Sequence, residues 1–173
     1  MSLRLPVLGL LAALLCCCGW AGCSHYQLGT RGQLTFATLY VEPAENTTLL
    51  PQARALLSTQ VREALARDGR VTLVNSAEAA DATLRLVIRD YHRDMASVQE
   101  RDTGLARKFM LTLGVDCTLR DNRSGKDLFT NRRVTTQRDA FTDGGQLQSE
   151  YQALPLLAES LGQKIAHAVL DVW

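Results

Sequence analysis

The chain has 173 residues, with 19 Lys+Arg against 18 Asp+Glu and a formal net charge of +1. This balance provides no overall field to attract nucleic acid, so any anion recognition must come from a local cluster of cations. Four of the five cysteines lie at or before Cys23. The rest of the sequence contains Cys117 alone and therefore predicts neither a disulfide framework nor a Cys-based metal site.

The start of the chain has the layout of a signal peptide. Arg4 is its only charge, and an almost purely apolar stretch follows from Leu5 to Leu15. Ala21-Gly22-Cys23 then supplies small residues at a cut site and resembles the end of the lipobox of bacterial lipoproteins, although Trp20 stands where that pattern usually has Leu. Two alternatives stay open. One is an uncleaved membrane helix, since the apolar stretch from Leu5 to Gly22 is barely long enough to span a bilayer, which takes about 20 residues. The other is a secretory signal cut without lipid attachment.

We therefore predict three parts: a lipoprotein signal peptide at residues 1–22, a lipid-anchored linker at residues 23–32, and a single domain at residues 33–173. The lipid is expected on Cys23, as acyl chains such as palmitate, and no other cofactor is expected. One acyl chain anchors a protein only marginally, at about 0.8 kcal/mol per buried methylene, and the lipoprotein modification supplies more than one. Ser24 favours the outer membrane, because Asp at that place is associated with inner-membrane retention in enterobacterial lipoproteins.

The first half of the domain predicts a strand, a helix and two further strands. β-forming residues run from Leu34 to Val41, and a loop follows over residues 42–50. Pro51 suits the first position of a helix, and Asp68-Gly69 ends it with a glycine able to take the left-handed cap. A short strand is predicted at residues 70–74. Strict alternation from Thr83 to Tyr91 then predicts a strand with one buried face.

The second half predicts a long hairpin and a closing helix. Six apolar residues alternate between Phe109 and Leu119, a turn follows over residues 121–126, and a more polar strand returns over residues 127–138. Apolar residues then recur at helical spacing, with Pro155 among them, where the helix either kinks or begins its regular part. The predicted apolar stripe consists of Leu147, Tyr151, Leu154, Ala158, Leu161, Ile165, Val169 and Val172.

These elements favour an α/β fold of two layers. Two amphipathic helices must bury their stripes, and the predicted sheet offers one apolar face. We expect a two-layer sandwich with two helices on one face of a four- to five-stranded mixed, mainly antiparallel sheet. Leu113 and Leu161 are predicted to be core positions.

The sequence offers little chemistry. The three histidines have no metal-ligand spacing, and there is no Gly-rich phosphate loop, so neither a metal site nor an enzyme is predicted. Cys117 alternates with Leu113, Val115 and Leu119, which favours a small core residue over a nucleophile.

Basic residues on and beside the strands are the feature that stands out. For most of them a solvated face of mixed charge is the favoured interpretation, because aspartates such as Asp90 and Asp116 are interleaved. The functional interpretation is a local anion site, since Arg grips phosphate through two hydrogen bonds. The candidates are Arg85, Arg89, Arg93, Arg107, Lys108, Arg132, Arg133 and Arg138, with Arg123 and Lys126 at the hairpin turn.

Several short phrases together resemble the lipopolysaccharide-assembly lipoprotein family, LptE. They are the cysteine followed by Tyr26-Gln27-Leu28-Gly29, then Val41-Glu42-Pro43 leading through Asn46-Thr47-Thr48 into a helix, and Ala80-Asp81-Ala82-Thr83-Leu84 before the alternating strand. The long hairpin before a closing helix also matches, whereas His25-Tyr26 stands where Gly-Tyr is commoner.

This resemblance implies a two-helix, four-stranded sandwich that plugs the outer-membrane β-barrel LptD from within, helps that barrel assemble and binds lipopolysaccharide. Arg123 and Lys126 are the first candidates for lipid phosphate, and Arg85 and Arg89 the second. The alternative function is a periplasmic lipoprotein that activates a cell-wall synthase or serves a secretion or efflux assembly. The expected location is the periplasmic face of the outer membrane, where the lipid anchor holds the protein, and no nucleic acid is expected as partner.

Overall fold

The computed structural model describes residues 34–95, 108–141 and 146–171, all within one compact unit. The predicted signal peptide, Cys23 and the linker lie outside the described residues, as does Arg107.

The described residues form strands and helices in the predicted order, with one additional short strand. In chain order they are β1 (Thr38–Val41), β2 (Glu45–Asn46), α1 (Ala53–Asp68), β3 (Thr72–Val74), β4 (Ala82–Met95), β5 (Lys108–Asp121), β6 (Asp127–Phe141) and α2 (Gln146–Leu170).

The strands make one mixed sheet in the order β3-β1-β4-β5-β6, with β2 also paired to β4. β1 runs parallel to both β3 and β4, whereas β4, β5 and β6 are antiparallel neighbours. The predicted mixed, mainly antiparallel sheet is thus confirmed. Two details differ: β1 begins at Thr38 rather than Leu34, and the predicted loop after it contains β2, where Glu45 lies opposite Val87.

Both helices lie on one face of the sheet and close a single core. Leu57, Val61 and Leu65 of α1 are fully buried at successive turns of that helix. The helix ends where expected, because Gly69 takes φ +76° and its N–H donates to the Leu65 carbonyl at 3.3 Å. Leu113 is fully buried as well, so the predicted core face of β5 is confirmed.

The core side of α2 begins later than its apolar spacing predicts. Leu161 is fully buried, as expected, but Leu147 and Tyr151 are 81% and 73% exposed, so their assignment to the core was wrong. Ala153 is the first buried residue described in this helix. The preceding turns lie beside Phe141, the last residue of β6, where the sheet ends and offers no core to cover them.

Three regions of the molecule are named by their place in the sheet. The open face is the side of the sheet that the helices leave uncovered. The turn end is the end of the sheet that carries the turn at residues 122–126, between β5 and β6. The far end is the opposite end, where Met95 of β4, Lys108 of β5 and Phe141 of β6 lie. The strands of this hairpin have 14 and 15 residues, so the predicted long hairpin is confirmed.

Candidate functional site

A β-bulge in β4 puts two charged neighbours on the open face. The register of β4 against β5 shifts between Ile88, opposite Val115, and Asp90, opposite Gly114. Arg89 is therefore an extra residue in the strand, and the usual alternation of faces is interrupted there. Arg89 and Asp90 both reach partners on the open face as a result.

These two residues join a network of compensating charges. Arg133 donates to Asp116 with its Nε 2.5 Å from Oδ1 and its Nη2 3.2 Å from Oδ2, and it also pairs with Asp90. Arg89 Nε lies 3.5 Å from Asp116 Oδ2, and His92 Nε2 lies 3.7 Å from Asp90 Oδ1. The hydrogen bonds with the Asp116 carboxylate raise the pKa of Arg133 above its ordinary value. Two arginines and two aspartates thus neutralise each other across three strands.

Gly114 makes room for this network. A Cβ at residue 114 would stand 3.1 Å from Asp90 Oδ2 and 3.5 Å from Thr135 Cγ2. A side chain there would push the Asp90 carboxylate away from Arg133. An isolated glycine within a strand pattern signals a bulge or a close approach, so Gly114 is the sequence signal for this network.

Arg85 occupies a separate part of the open face, nearer the turn end. Its Nη2 lies 2.7 Å from Glu45 Oε1, and both side chains are more than half exposed. This pair borders a groove of mixed charge, lined by Glu42, Glu45, Thr83, Arg85, Thr118, Arg120 and Asp127. The predicted pair Arg85 and Arg89 therefore shares a face, but each arginine has its own carboxylate partner.

The hairpin turn is docked onto the domain. The Asn122 side-chain amide donates to the carbonyls of Ala77 and Ala80 at 3.0 and 2.9 Å. Arg123 Nη2 lies 2.9 Å from Asp81 Oδ1. The Asp81 carboxylate also accepts from the backbone N–H groups of Ala37 and Thr38, and these bonds lower its pKa. Arg123 thus forms part of the contact that holds the turn to the loop before β4.

Lys126 differs from the other three predicted lipid-contacting residues. Its side chain is exposed at the turn, and within the described residues it has no ion pair, whereas Arg85, Arg89 and Arg123 each have one. The structure therefore does not bring the four predicted cations together into one cluster. Two lie along the open face and two at the turn end.

The far end combines exposed apolar side chains with cations, a combination that the sequence patterns do not predict. Arg93 pairs with Glu150 of α2 and lies 5.6 Å from the centre of the Phe109 ring. Lys108 Nζ lies 2.8 Å from Asp139 Oδ2 and 5.9 Å from the centre of the Phe141 ring. Large apolar side chains exposed at this end are Met95, Phe141, Leu147 and Tyr151. Helical spacing placed Leu147 and Tyr151 on the apolar stripe. They are exposed because the sheet ends before it reaches them, which the sequence does not reveal.

Cys117 has no features of a nucleophile. It is fully buried, and burial raises the pKa of its thiol to about 12. Because the thiolate is the reactive form, this side chain is inert near neutral pH. The prediction of a core residue is confirmed.

Two features are absent from the described residues. They contain no group of three or more His, Cys, Asp or Glu side chains placed to hold a metal ion. None of the helices in this part of the chain has both the length and the apolarity to cross a membrane.

Solved structures of similar fold come from several bacteria. A protein from Xanthomonas campestris is 14% identical with a TM-score of 0.58, over 81% of this chain and 86% of that one. Uncharacterized lipoprotein B from Nitrosomonas europaea is 19% identical, TM-score 0.53, over 82% and 86%. A minor lipoprotein from Acinetobacter baumannii is 20% identical, TM-score 0.52, over 79% and 94%. At these identities the likeness shows the shared fold alone.

The sequence itself identifies the family. Among curated proteins, none matches the chain. The family model for lipopolysaccharide assembly, LptE, matches residues 36–169, from just before β1 to the last turn of α2. The match therefore spans the whole sandwich, including both helices and the long hairpin. This chain belongs to the lipopolysaccharide-assembly lipoprotein family, LptE.

Proposed function

We propose that this protein is an outer-membrane lipoprotein that plugs and helps assemble the lipopolysaccharide-export β-barrel, LptD, and binds lipopolysaccharide. The observation that carries the proposal is the family match over residues 36–169. In this proposal residues 1–22 are a signal peptide, and lipid on Cys23 anchors the protein at the periplasmic face of the membrane. The role is binding and assembly, with no catalytic step.

The open face supports the role of a plug. The inside of a large barrel is polar, so a domain held there needs a hydrophilic surface whose charges are compensated. The network of Arg89, Asp90, Asp116 and Arg133 provides such a surface without a net charge. Buried charges need partners, and these residues already have them before any contact forms.

The far end is the surface best suited to lipopolysaccharide. This ligand is an amphiphile with phosphates and acyl chains, so its site needs cations beside apolar side chains. Lys108, which pairs with Asp139, and Arg93, which pairs with Glu150, supply the cations. Met95 and Leu147 supply exposed apolar surface at the same end. Charge-assisted contacts to phosphate contribute roughly 1.5–3 kcal/mol each when water is excluded, and far less when they stay wet.

The turn end and the open face are the other proposed contacts for lipid phosphate. Lys126 is the better probe of the turn end, because Arg123 also holds Asp81 and its loss would loosen the turn. Arg85 and Arg89 could accept phosphate only by giving up Glu45 and Asp116. Lys126 needs no such exchange. Lys108 and Arg93 at the far end would have to give up Asp139 and Glu150 in the same way, and they are preferred only because exposed apolar side chains lie at the same end.

Lipopolysaccharide binding by charge-reversed variants decides between the two ends. Lys108→Glu tests the far end and Lys126→Glu tests the turn end, each as a single change to a lysine. We expect Lys108→Glu to weaken binding about tenfold, with little change for Lys126→Glu. The reverse order would move the site to the turn end. Unchanged binding by both variants would place the lipopolysaccharide site at neither end.

Co-purification tests the assembly role itself. The tagged full-length chain is purified in detergent from outer membranes, and the proteins that accompany it are identified. A large β-barrel protein in near-equal amount is the expected result. A cell-wall synthase or a component of a secretion or efflux assembly in its place would support the alternative function and overturn this proposal.

A further inference from the structure

The outer edge of β6 is the longest free edge of the described sheet. This strand has 15 residues and pairs only with β5, whereas the opposite edge of the sheet is β3, with three residues. An unpaired edge presents rows of backbone N–H and C=O groups that can pair with another chain. Long free edges are usually blocked, so the blocking groups along β6 are informative.

Two contacts from α2 cover parts of this edge. Lys164 Nζ donates to the Thr135 carbonyl at 2.9 Å, and the Ser149 hydroxyl donates to the Phe141 carbonyl. Both carbonyls therefore point away from β5. Along a strand, backbone groups of alternate residues point the same way, so Gln137 and Asp139 also point their N–H and C=O groups outward.

No described residue covers the stretch between the two contacts. Among the described residues, no backbone hydrogen bond reaches the outward groups of Gln137 or Asp139, and both residues are exposed. Together they offer two donors and two acceptors at the spacing of a strand. Only another extended backbone matches that pattern in full.

A groove runs beside this stretch, between β6 and α2. It is lined by Arg138, Asp139, Ala140, Gln152, Ala153 and Leu156, among others, and the Asp139 carboxylate is paired with Lys108 at 2.8 Å. Ala153 and Leu156 give it an apolar floor, and Leu156 is 41% exposed. Arg138 is exposed and has no ion pair in the part of the chain that the structure describes. An edge strand beside a helix, with an apolar groove between them, is the arrangement that binds peptides as an added strand.

We propose that an extended segment of the partner β-barrel polypeptide adds to β6 at Gln137 and Asp139. The segment places a small apolar side chain against Ala153 and Leu156, and an acidic side chain beside Arg138. This inference rests on the proposed function, which supplies the partner. It adds the contact through which the partner's backbone is held.

A second copy of this chain fits the edge poorly. An antiparallel pairing that uses both uncovered residues sets Gln137 of each copy opposite Asp139 of the other. Arg138 would then lie opposite itself, and like charges directly opposite each other destabilise a strand pair. Because Asp139 is paired with Lys108 and Arg138 has no ion pair within the described residues, the charge of Arg138 favours an acidic segment of a different polypeptide.

Proline at residue 137 tests the contact. Gln137→Pro removes one outward N–H, a change that an edge strand tolerates, and Gln137→Ala is the matched control that keeps it. We expect about tenfold less barrel with the proline variant in co-purification of the full-length chain, and wild-type recovery with the alanine variant. Equal recovery of barrel with both variants overturns the inference.

Hydrogen exchange provides a second measurement that does not depend on the folding of a variant. In the wild-type chain purified with its barrel, the amides of Gln137 and Asp139 are expected to exchange at least about tenfold more slowly than in the free chain. If these amides stay unprotected in a complex that contains the barrel, the added strand is refuted but the proposed function is not. If no barrel co-purifies with the chain, the proposed function itself is refuted.

Discussion

Gly162 of α2 packs directly against the backbone of Gln60 in α1. A Cβ at residue 162 would stand 2.9 Å from both the carbonyl carbon and the carbonyl oxygen of Gln60, and 3.1 Å from the Val61 nitrogen. These atoms belong to the backbone of a helix and cannot turn aside. The backbones of the two helices therefore come into close contact at a residue that has no side chain.

Alanine at this crossing should destabilise the domain. Gly162→Ala adds one methyl group that has no space, and such overpacking typically costs about 1–3 kcal/mol, more than the roughly 1 kcal/mol that alanine gains in helix propensity. The free energy of unfolding from a urea titration measures the difference. Gln163→Ala, an exposed neighbour on the same helix, is the control and should change it little. If Gly162→Ala is instead more stable than the wild type, the two helices are further apart at this crossing than the 2.9 Å contact requires.

Two leucines of α2 should respond very differently to truncation. Leu161 is fully buried and Leu147 is 81% exposed. Leu161→Ala is expected to cost about 2–5 kcal/mol of unfolding free energy, because it leaves a cavity in the core. Leu147→Ala removes surface that water already contacts, so the same titration should register a change of less than about 0.5 kcal/mol. Similar losses at both positions would contradict the late start of the core side.

The Asp81 carboxylate should make the domain less stable in acid. Backbone N–H groups of Ala37 and Thr38 lower its pKa in the folded chain, so folding favours the ionised form. This stabilisation is complete above the unfolded value of about 3.9 and is lost as the pH falls through the lower folded value. Asp81→Asn should thus be less stable at pH 7 and lose less stability on acidification, measured by urea unfolding at several pH values. Asp94→Asn is the exposed control, and an identical pH profile for Asp81→Asn and the wild type would refute the assignment.

Lipid on Cys23 can be tested directly on the purified protein. If residues 1–22 are removed as proposed, the mature chain starts at Cys23 and its N-terminal peptide carries the mass of acyl chains. Mass spectrometry of that peptide measures both, and Cys23→Ala should leave the precursor uncut. A mature chain that starts elsewhere, or an unmodified Cys23, would contradict the lipoprotein assignment.

Sequence periodicity predicted the parts of the fold that depend on one strand or one helix at a time. Alternation along β5 identified its core side chains, and Gly69 marked the end of α1, because both signals are local. The late start of the core along α2 was missed at Leu147, since helical spacing contains no information about where a neighbouring sheet ends.

The candidate site was harder to predict, because its geometry depends on the register between strands. Arg89, Asp116 and Arg133 come from three different strands, and a bulge decides which of their neighbours meet. The sequence showed cations interleaved with acids but not which pairs form. Gly114 was the one local signal of the close approach.

The most direct test of a role in lipopolysaccharide assembly is the amount of lipopolysaccharide at the cell surface when this chain is depleted. Surface lipopolysaccharide, quantified by labelling intact cells, is expected to fall as the protein is lost and to recover when the full-length chain is expressed again. The folded amount of the barrel should fall with it, because the protein is proposed to help that barrel assemble. Unchanged surface lipopolysaccharide after complete depletion would contradict the proposed function.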